Sequence, residues 1–274
     1  MTSTARIRRA IRSFTLASAW SGLLLCLTCS LNAQTAQAPV ILFTDLVSGP
    51  ATGNSDSSQP GQLAGQDGAI VTVWGKNLGT TPGTITVGGI AARVYSWGNA
   101  TGPADLYTRH QMQMVSFQVP HGVPNGATTI QAAVGGVTSN TLPFTVRSGN
   151  IYYVATTGND STGTGSWSAP WLKISNSTLK LNPGDTLYVR NGVQQIVDDS
   201  RGSCSAPGCA MSLEYGESSS QWSTAAMPKA IIAYPGATAQ IGSATLDSYT
   251  NYQGGTDTAY SLSLIHISEP TRPY

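Results

Sequence analysis

The sequence predicts an all-β chain: a small two-sheet sandwich followed by a second β region that coils and is cut short. Three observations carry that expectation. Charged residues make up 10% of the 274, while Gly, with 30 residues, and Ser, Thr and Asn are plentiful, a mix that favours strands and turns over helices. Between about residues 39 and 147, short runs of β-forming residues recur at close spacing, each bounded by Gly, Pro or Asn. Beyond residue 150 the short runs instead lie beside Pro-Gly pairs, which turn the chain. A length of 274 residues suits two domains of ordinary size.

Residues 1–38 read as a secretory signal peptide. Arg6, Arg8, Arg9 and Arg12 form a basic start, an apolar run follows over 16–31, and the small residues Ala33, Ala36 and Ala38 come after it. The apolar core is shorter and more interrupted than the stretch of about 20 apolar residues that a spanning helix needs. No membrane insertion is therefore expected after cleavage, and the protein is expected to be secreted or displayed at the cell surface. Cleavage after Ala33 or Ala36 fits, whereas Ala38 is followed by Pro39. A lipid-anchored alternative would make Cys26 or Cys29 the new N-terminus, but neither follows a small residue of the expected kind.

Removing the signal changes the charge balance. Of the 14 basic residues four lie in it and one is Arg272, and of the 13 acidic residues one is Glu269, which leaves nine basic against twelve acidic over 39–261. A nearly neutral body with no Lys/Arg cluster argues against nucleic acid or an anionic membrane as partner. Cys204 and Cys209 are the two cysteines left, five apart in a Gly/Pro loop, Cys-Ser-Ala-Pro-Gly-Cys. In an oxidising compartment they are expected to form a local disulfide. A metal site would need further ligands, and the body offers only His110 and His121, both in the first domain. No metal or cofactor is expected in these residues.

The first domain, 39–147, contains about seven short strands. Residues 70–74 are followed by Gly75, Lys76, Asn77, Leu78 and Gly79; residues 84–87 turn at Gly88 and Gly89 into 90–95. Paired glycines readily adopt the positive φ of tight hairpin turns. Val115, Phe117 and Val119 alternate with Ser116 and Gln118, the pattern of a strand with one buried face. A further hairpin runs from 128–134 through Gly135 and Gly136 to 142–146. That many strands in roughly 109 residues is the arithmetic of a sandwich.

The run 68–79, Gly-Ala-Ile-Val-Thr-Val-Trp-Gly-Lys-Asn-Leu-Gly, then Val-Gly-Gly at 87–89, Pro-Asn-Gly at 124–126 and Ser-Asn at 139–140 before a closing Phe-Thr-Val resemble an IPT/TIG domain. The resemblance implies an immunoglobulin-like fold. One departure is the lead into the second strand, Gln66-Asp67-Gly68 after a long Ser/Gly/Gln loop at 48–65, where the family has Gly-Gly-Thr. Such domains serve as spacers, interaction modules or carbohydrate contacts, and fold alone does not choose among them. Trp74, Tyr95 and Trp97 could form a sugar-stacking platform, but aromatics also supply much of the apolar area of a small sandwich core. His110 and His121 lie near turns with no evident nucleophile or carboxylate partner.

The second domain, 150–261, opens with Ile-Tyr-Tyr-Val at 151–154 and the Gly/Asn/Asp-rich stretch 158–165. Ala169-Pro170-Trp171, Leu-Asn-Pro-Gly-Asp-Thr-Leu-Tyr-Val-Arg at 181–190 and Met-Pro-Lys-Ala-Ile-Ile-Ala-Tyr-Pro-Gly-Ala at 227–237 follow. This succession resembles the N-terminal part of right-handed parallel β-helix proteins of the pectate-lyase-like group. Two short strands, 186–189 and 231–234, each adjoin a Pro-Gly turn that would send the chain into the next face of a coil. Asp185 is expected to cap its turn through backbone hydrogen bonds rather than to act in catalysis. Residues 170–181 could form a short helix plugging the coil's open end, with Leu172, Ile174 and Leu179 inward.

An insertion at about 198–226 holds Asp198, Asp199, Arg201, the cysteine pair, Glu214 and Glu217. Paired carboxylates could bind Ca²⁺ or act as acid and base on a glycan. Adjacent residues of an extended chain point to opposite faces, however, so Asp198 and Asp199 cannot simply act together. A solvated loop stapled by a disulfide is the plainer reading, and the oxygen-rich run 158–163 likewise fits an ordinary turn better than a calcium loop. By what the resemblance implies, catalytic residues and any Ca²⁺ site would sit on later rungs.

Residues 262–274 match no preceding strand-turn pattern and resemble the translated sequence of a sequencing-library adapter, so native sequence is expected to stop near Ser261. Two functions share the residues before it. One is a secreted or cell-surface multidomain protein, non-catalytic as given, that contacts extracellular polysaccharide or surface glycans. The other is a truncated polysaccharide lyase or glycoside hydrolase whose catalytic rungs are missing.

Overall fold

A computed structural model describes residues 37–54, 68–101, 106–195 and 218–241, together with the backbone of 247–250, 256–259 and 262–263. The signal peptide up to residue 36, the expected disulfide between Cys204 and Cys209, the acidic insertion residues 198–217 and the tail from 264 lie outside the described residues. Within them the chain is all-β, broken by two single-turn helices, α1 (Leu106–His110) and α2 (Ile174–Thr178), and a 3-10 turn at Ser219–Gln221.

In the first region the strands are β1 (Val40–Thr44), β2 (Ser48–Gly49), β3 (Ile70–Lys76), β4 (Thr84–Val87), β5 (Ile90–Ala91), β6 (Arg93–Asn99), β7 (Gln113–Gln118), β8 (Gly126–Val134) and β9 (Val137–Val146). They make two sheets, ordered β1-β3-β7-β6 and β2-β9-β8-β4-β5. Alternation decides what each face does. Val71, Val73, Val115 and Phe117 turn inward to meet Ile85, Val87, Ile130 and Phe144 of the other sheet in one buried cluster. Both glycine pairs turn hairpins as expected, with φ of 59° and 79° at Gly88 and Gly89 and 57° and 83° at Gly135 and Gly136, values that a Cβ would resist. Where the sequence reads as a long loop after residue 48, the structure places β2. The chain leaves the first sheet at Thr44 and pairs in parallel with β9, Ser48 opposite Thr145.

The second region contains β10 (Ile151–Val154), β11 (Thr186–Val189), β12 (Gln194–Gln195), β13 (Ala230–Ala233), β14 (Gln240–Ile241), β15 (Asp247–Thr250), β16 (Thr256–Ala259) and β17 (Leu262–Ser263). Strands β10, β11 and β13 stack in parallel without a register slip, so Tyr153, Tyr188 and Ile232 form one column and Tyr152, Leu187 and Ile231 the next. A second parallel pair, β12 with β14, repeats the arrangement one turn further along the chain. β17 closes the far side of β14 in antiparallel fashion, and β15 pairs with β16.

Helix α2 is shorter than the plug expected over 170–181, and its inward set differs. Ile174 is buried as expected, but Leu172 is 39% exposed, and Trp171 and Leu181 take the apolar role at either end. Ser177 and Thr178 are buried because their hydroxyls bond back to the carbonyls of Lys173 and Ser175, which satisfies them inside an otherwise apolar cap.

The described residues from 37 onward belong to one compact unit. The buried cluster of the sandwich continues without a break through Ile151 and Tyr153 to Tyr188. The junction is stitched by backbone bonds, Ile151 N–H to the Gly53 carbonyl at 3.2 Å and Thr186 N–H to the Asn150 carbonyl at 2.9 Å.

Gly184 shows how tight that junction is. Its φ is +90°, and a Cβ there would run into the Ser148 carbonyl and approach Met227 Cε to 2.6 Å. Gly192 has a similar φ of +82° but only Thr156 Cγ2 within reach, at 3.6 Å. Gly184→Ala should therefore cost roughly 2–4 kcal/mol and Gly192→Ala only about 1 kcal/mol. Urea midpoints at unchanged m-value would measure both; equal losses would show that the junction is not closely packed.

Candidate functional site

Strand β3 extends beyond the end of β1, so the backbone groups of Ile70 and Thr72 on that edge have no strand to pair with. The described structure satisfies them in two ways. At Thr72, the Asp45 carboxylate accepts the backbone N–H at 2.8 Å, and the Asp45 N–H donates to the Thr72 carbonyl at 3.1 Å. At Ile70, the Tyr188 hydroxyl accepts the backbone N–H at 2.7 Å and donates to the carbonyl of the same residue at 2.6 Å. A single phenol from the parallel stack thus stands in for a neighbouring strand.

Around Tyr188 the second region presents a cluster of rings to the outer face of the four-stranded sheet. Tyr153 stacks on Tyr188 at 5.9 Å, Tyr234 meets Tyr188 edge-on at 6.0 Å, and Trp167 meets Tyr153 edge-on at 5.1 Å. Arg190 lies 3.8 Å over the Trp167 ring and donates to its carbonyl at 3.0 Å. Beneath the rings the sheet's polar residues are buried in mutual bonds: Thr72 with Ser116 at 2.9 Å, and Gln118 accepting from the Tyr95 hydroxyl at 3.0 Å. Burial pushes the Tyr188 hydroxyl well above its ordinary range, with the nearby Asp45 acting in the same direction.

Beside this cluster a groove of about 540 Å³ runs between β13 with its Pro-Gly turn and the outer face of the sheet, where Asp45, Leu46, Trp74 and Met114 line it. A second cavity of about 510 Å³ adjoins it and shares the walls Asp45, Leu46, Lys229 and Ala230; Arg147 lies at its other side. Desolvation pushes the Asp45 carboxyl up to about 7 against the opposing pull of its bonds to Thr72 and Leu46.

The sequence-derived candidates fall apart in space. Trp74 stacks on Phe43 at 5.2 Å and lines the groove. Trp97 donates its indole N–H to the Leu78 carbonyl and packs on the sandwich core, while Tyr95 is tied to Gln118. They do not make one platform. His110 and His121 are exposed. Asp185 caps its turn as expected, accepting from Asn182 N–H at 2.8 Å and Asn150 N–H at 2.7 Å. Asp160 accepts from the N–H groups of Leu172 and Lys173, and Asn159 from those of Ser161 and Thr162, so both side chains of this oxygen-rich run are engaged by backbone N–H groups of the turn and of the segment after Trp171. Among the described residues no three His, Cys, Asp or Glu side chains come together.

Sequence reasoning missed Asp45 and Tyr188. Each signal was faint: a lone acid just after an apolar strand, and one aromatic within Thr-Leu-Tyr-Val.

No family model matches the chain, and no curated protein matches it. Among solved structures, a gamma-CGTase from alkalophilic Bacillus clarkii is similar over 47% of this chain at 21% identity and a TM-score of 0.29. This chain spans 15% of that protein, and a likeness at that TM-score carries no inference about fold or activity.

Two variants test the joint. Tyr188→Phe keeps the ring but leaves two buried backbone groups unpaired, and should cost roughly 2–4 kcal/mol while speeding amide exchange at Ile70; unchanged exchange there would rule out the bridging role. Asp45 ionises near 3.8 when unfolded and near 7 when folded. Its contribution to stability is therefore fully present below pH 3.8 and is lost as pH rises towards 7. Melting temperatures across that window should fall more steeply in the wild type than in Asp45→Asn, and parallel curves would contradict the assignment.

Proposed function

We propose that this chain is an exported, non-catalytic extracellular protein that contacts polysaccharide or surface glycans. In this reading an IPT/TIG-type, immunoglobulin-like sandwich caps and braces the first rungs of a right-handed parallel β-helix. The observation that carries the reading is how the acids with described side chains, three of the thirteen in the chain, are spent. Asp45 holds the backbone N–H of Thr72, Asp160 those of Leu172 and Lys173, and Asp185 those of Asn150 and Asn182. A carboxylate committed to such bonds is a structural strut; a glycan-cleaving pair needs acids free to face one sugar from two sides. The shared core and the Tyr188 bridge suit a rigid arm better than a hinged one.

A nearly neutral body implies that glycan contact would rest on stacking and hydrogen bonds, with weak salt dependence. Affinity electrophoresis of the secreted full chain through gels containing neutral and acidic polysaccharides should show retardation by at least one polymer. That retardation should survive moderate salt and be indifferent to Ca²⁺ or a chelator. Unchanged mobility across the panel would overturn the glycan reading. Release of soluble oligosaccharide from any polymer would instead reveal a catalytic site within the chain and overturn the non-catalytic reading.

A further inference from the structure

Arg147 follows directly on β9, and its backbone N–H donates to the Gly49 carbonyl of β2 at 3.1 Å, so the sandwich sets its place at the joint. Its side chain crosses to the loop that leads into β13, where Nη1 donates to the Ala226 carbonyl. Nε of the same guanidinium is buried and has no hydrogen-bond partner. A buried donor left unmet is costly, and in a native structure each such group calls for a physical reason. Burial also lowers the guanidinium from its ordinary pKa range, as expected of a charge drawn partly out of water.

This guanidinium stands in the wall of the 510 Å³ cavity, whose other sides are residues 42–49 of the sandwich and the turns that lead into β11 and β13 at Gly184 and Pro228. The cavity thus lies where the strands of the stack begin, walled by elements from both sides of the joint. Lys229 is a second basic residue of the lining, and Asp45 is its single acid. The Asp45 carboxylate is committed to the Thr72 N–H at 2.8 Å, and its raised pKa leaves it neutral below about 7. Most of the lining is apolar, from Leu42, Leu46, Leu142, Pro143 and Pro228. A concave space of this size, mostly apolar with a few polar groups, has the form of a small-molecule site.

We propose that this cavity binds a small organic acid, whose carboxylate pairs with the Arg147 guanidinium and whose apolar body lies against the leucines and prolines. The two parts of the wall select that class together. A bare phosphate or sulfate would meet the guanidinium but leave its remaining oxygens facing hydrocarbon, where an unpaired charge is costly. A neutral apolar molecule would fill the space but leave the cation unmatched. A planar carboxylate suits a guanidinium, which presents its donors as a rigid fork, and the bond to Ala226 holds that fork in place. Lys229 adds a second positive charge to the same wall.

The test uses the full chain with octanoate as probe, octanol as its uncharged match and acetate as the carboxylate without the apolar body. Each is titrated by calorimetry and by backbone NMR. Octanoate should bind at least roughly tenfold more tightly than either of the others. Its amide shifts should centre on Val47, Gly49 and Gly184 and spare the hairpin turn at Gly135 and Gly136. Arg147→Gln should weaken octanoate roughly tenfold and leave octanol as before. If that variant does not fold, added salt supplies the same contrast on the wild type, weakening octanoate relative to octanol. Octanol binding as tightly as octanoate would show an apolar hole alone, and acetate doing so would show a site for bare anions. Either result would overturn the proposal, as would no binding of octanoate, amide shifts centred elsewhere, or octanoate binding indifferent to both Arg147→Gln and salt.

Discussion

Two buried stretches of backbone at the open end of β3 set the terms for everything packed around them. An unpaired amide or carbonyl in an apolar setting costs about as much as a hydrogen bond is worth in isolation from water, and Ile70 and Thr72 present two of each. Asp45 answers Thr72 from within the sandwich. Ile70 is answered from 118 residues away, by the Tyr188 hydroxyl. The first region therefore completes its own edge only when the parallel stack is in place, and the stack is held in one orientation by the requirement that a single oxygen meet both groups of one residue.

From that constraint the ring cluster follows. For Tyr188 to reach Ile70 its ring must lie flat along the outer face of the sheet, which calls for apolar neighbours above and polar satisfaction below. Tyr153 and Tyr234 supply the first, stacked and edge-on. The second comes from Thr72 bonding Ser116 and from Gln118 bonding Tyr95 and the Gly68 carbonyl. These residues occupy positions that would face water in a free-standing sandwich, and their short, mutually bonded side chains let them be covered instead. Asp45 sits at the rim of the same patch, and its raised pKa is the electrostatic trace of that covering.

The strands of the first region from β3 onward were legible because each had a solvent face or a turn to mark it; β1 (Val40–Thr44) was not read. Val115, Phe117 and Val119 alternate with polar residues, and the two glycine pairs could only be tight turns. What the alternation hid was that Ser116 and Gln118 are also buried: polar residues on a strand read as exposed unless a second layer is known to lie over them. β2 escaped because two residues carry no period. Asp185 could be read from the Pro-Gly beside it, since a capped turn is a local event. Asp45 and Tyr188 could not, because their partners come from elements far along the chain and nothing in the adjacent residues encodes them.

The same reasoning explains why the strands of the parallel region do not alternate. Strands β10, β11 and β13 are covered by the sandwich on one face and packed against Ile174, Leu181 and Val193 on the other, so apolar residues follow one another where a half-exposed strand would alternate. Period therefore cannot separate the two faces; volume does. Rings at Tyr153 and Tyr188 fill the space beneath the sandwich, and aliphatic residues at Val154, Leu187 and Val189 fill the narrower interior. At β13 the ring gives way to Ile232, and the groove begins beside it. The stack is thus broadest where it grips the sandwich and leaves its open space beside β13, which ties the position of the groove to the same packing that fixes the joint.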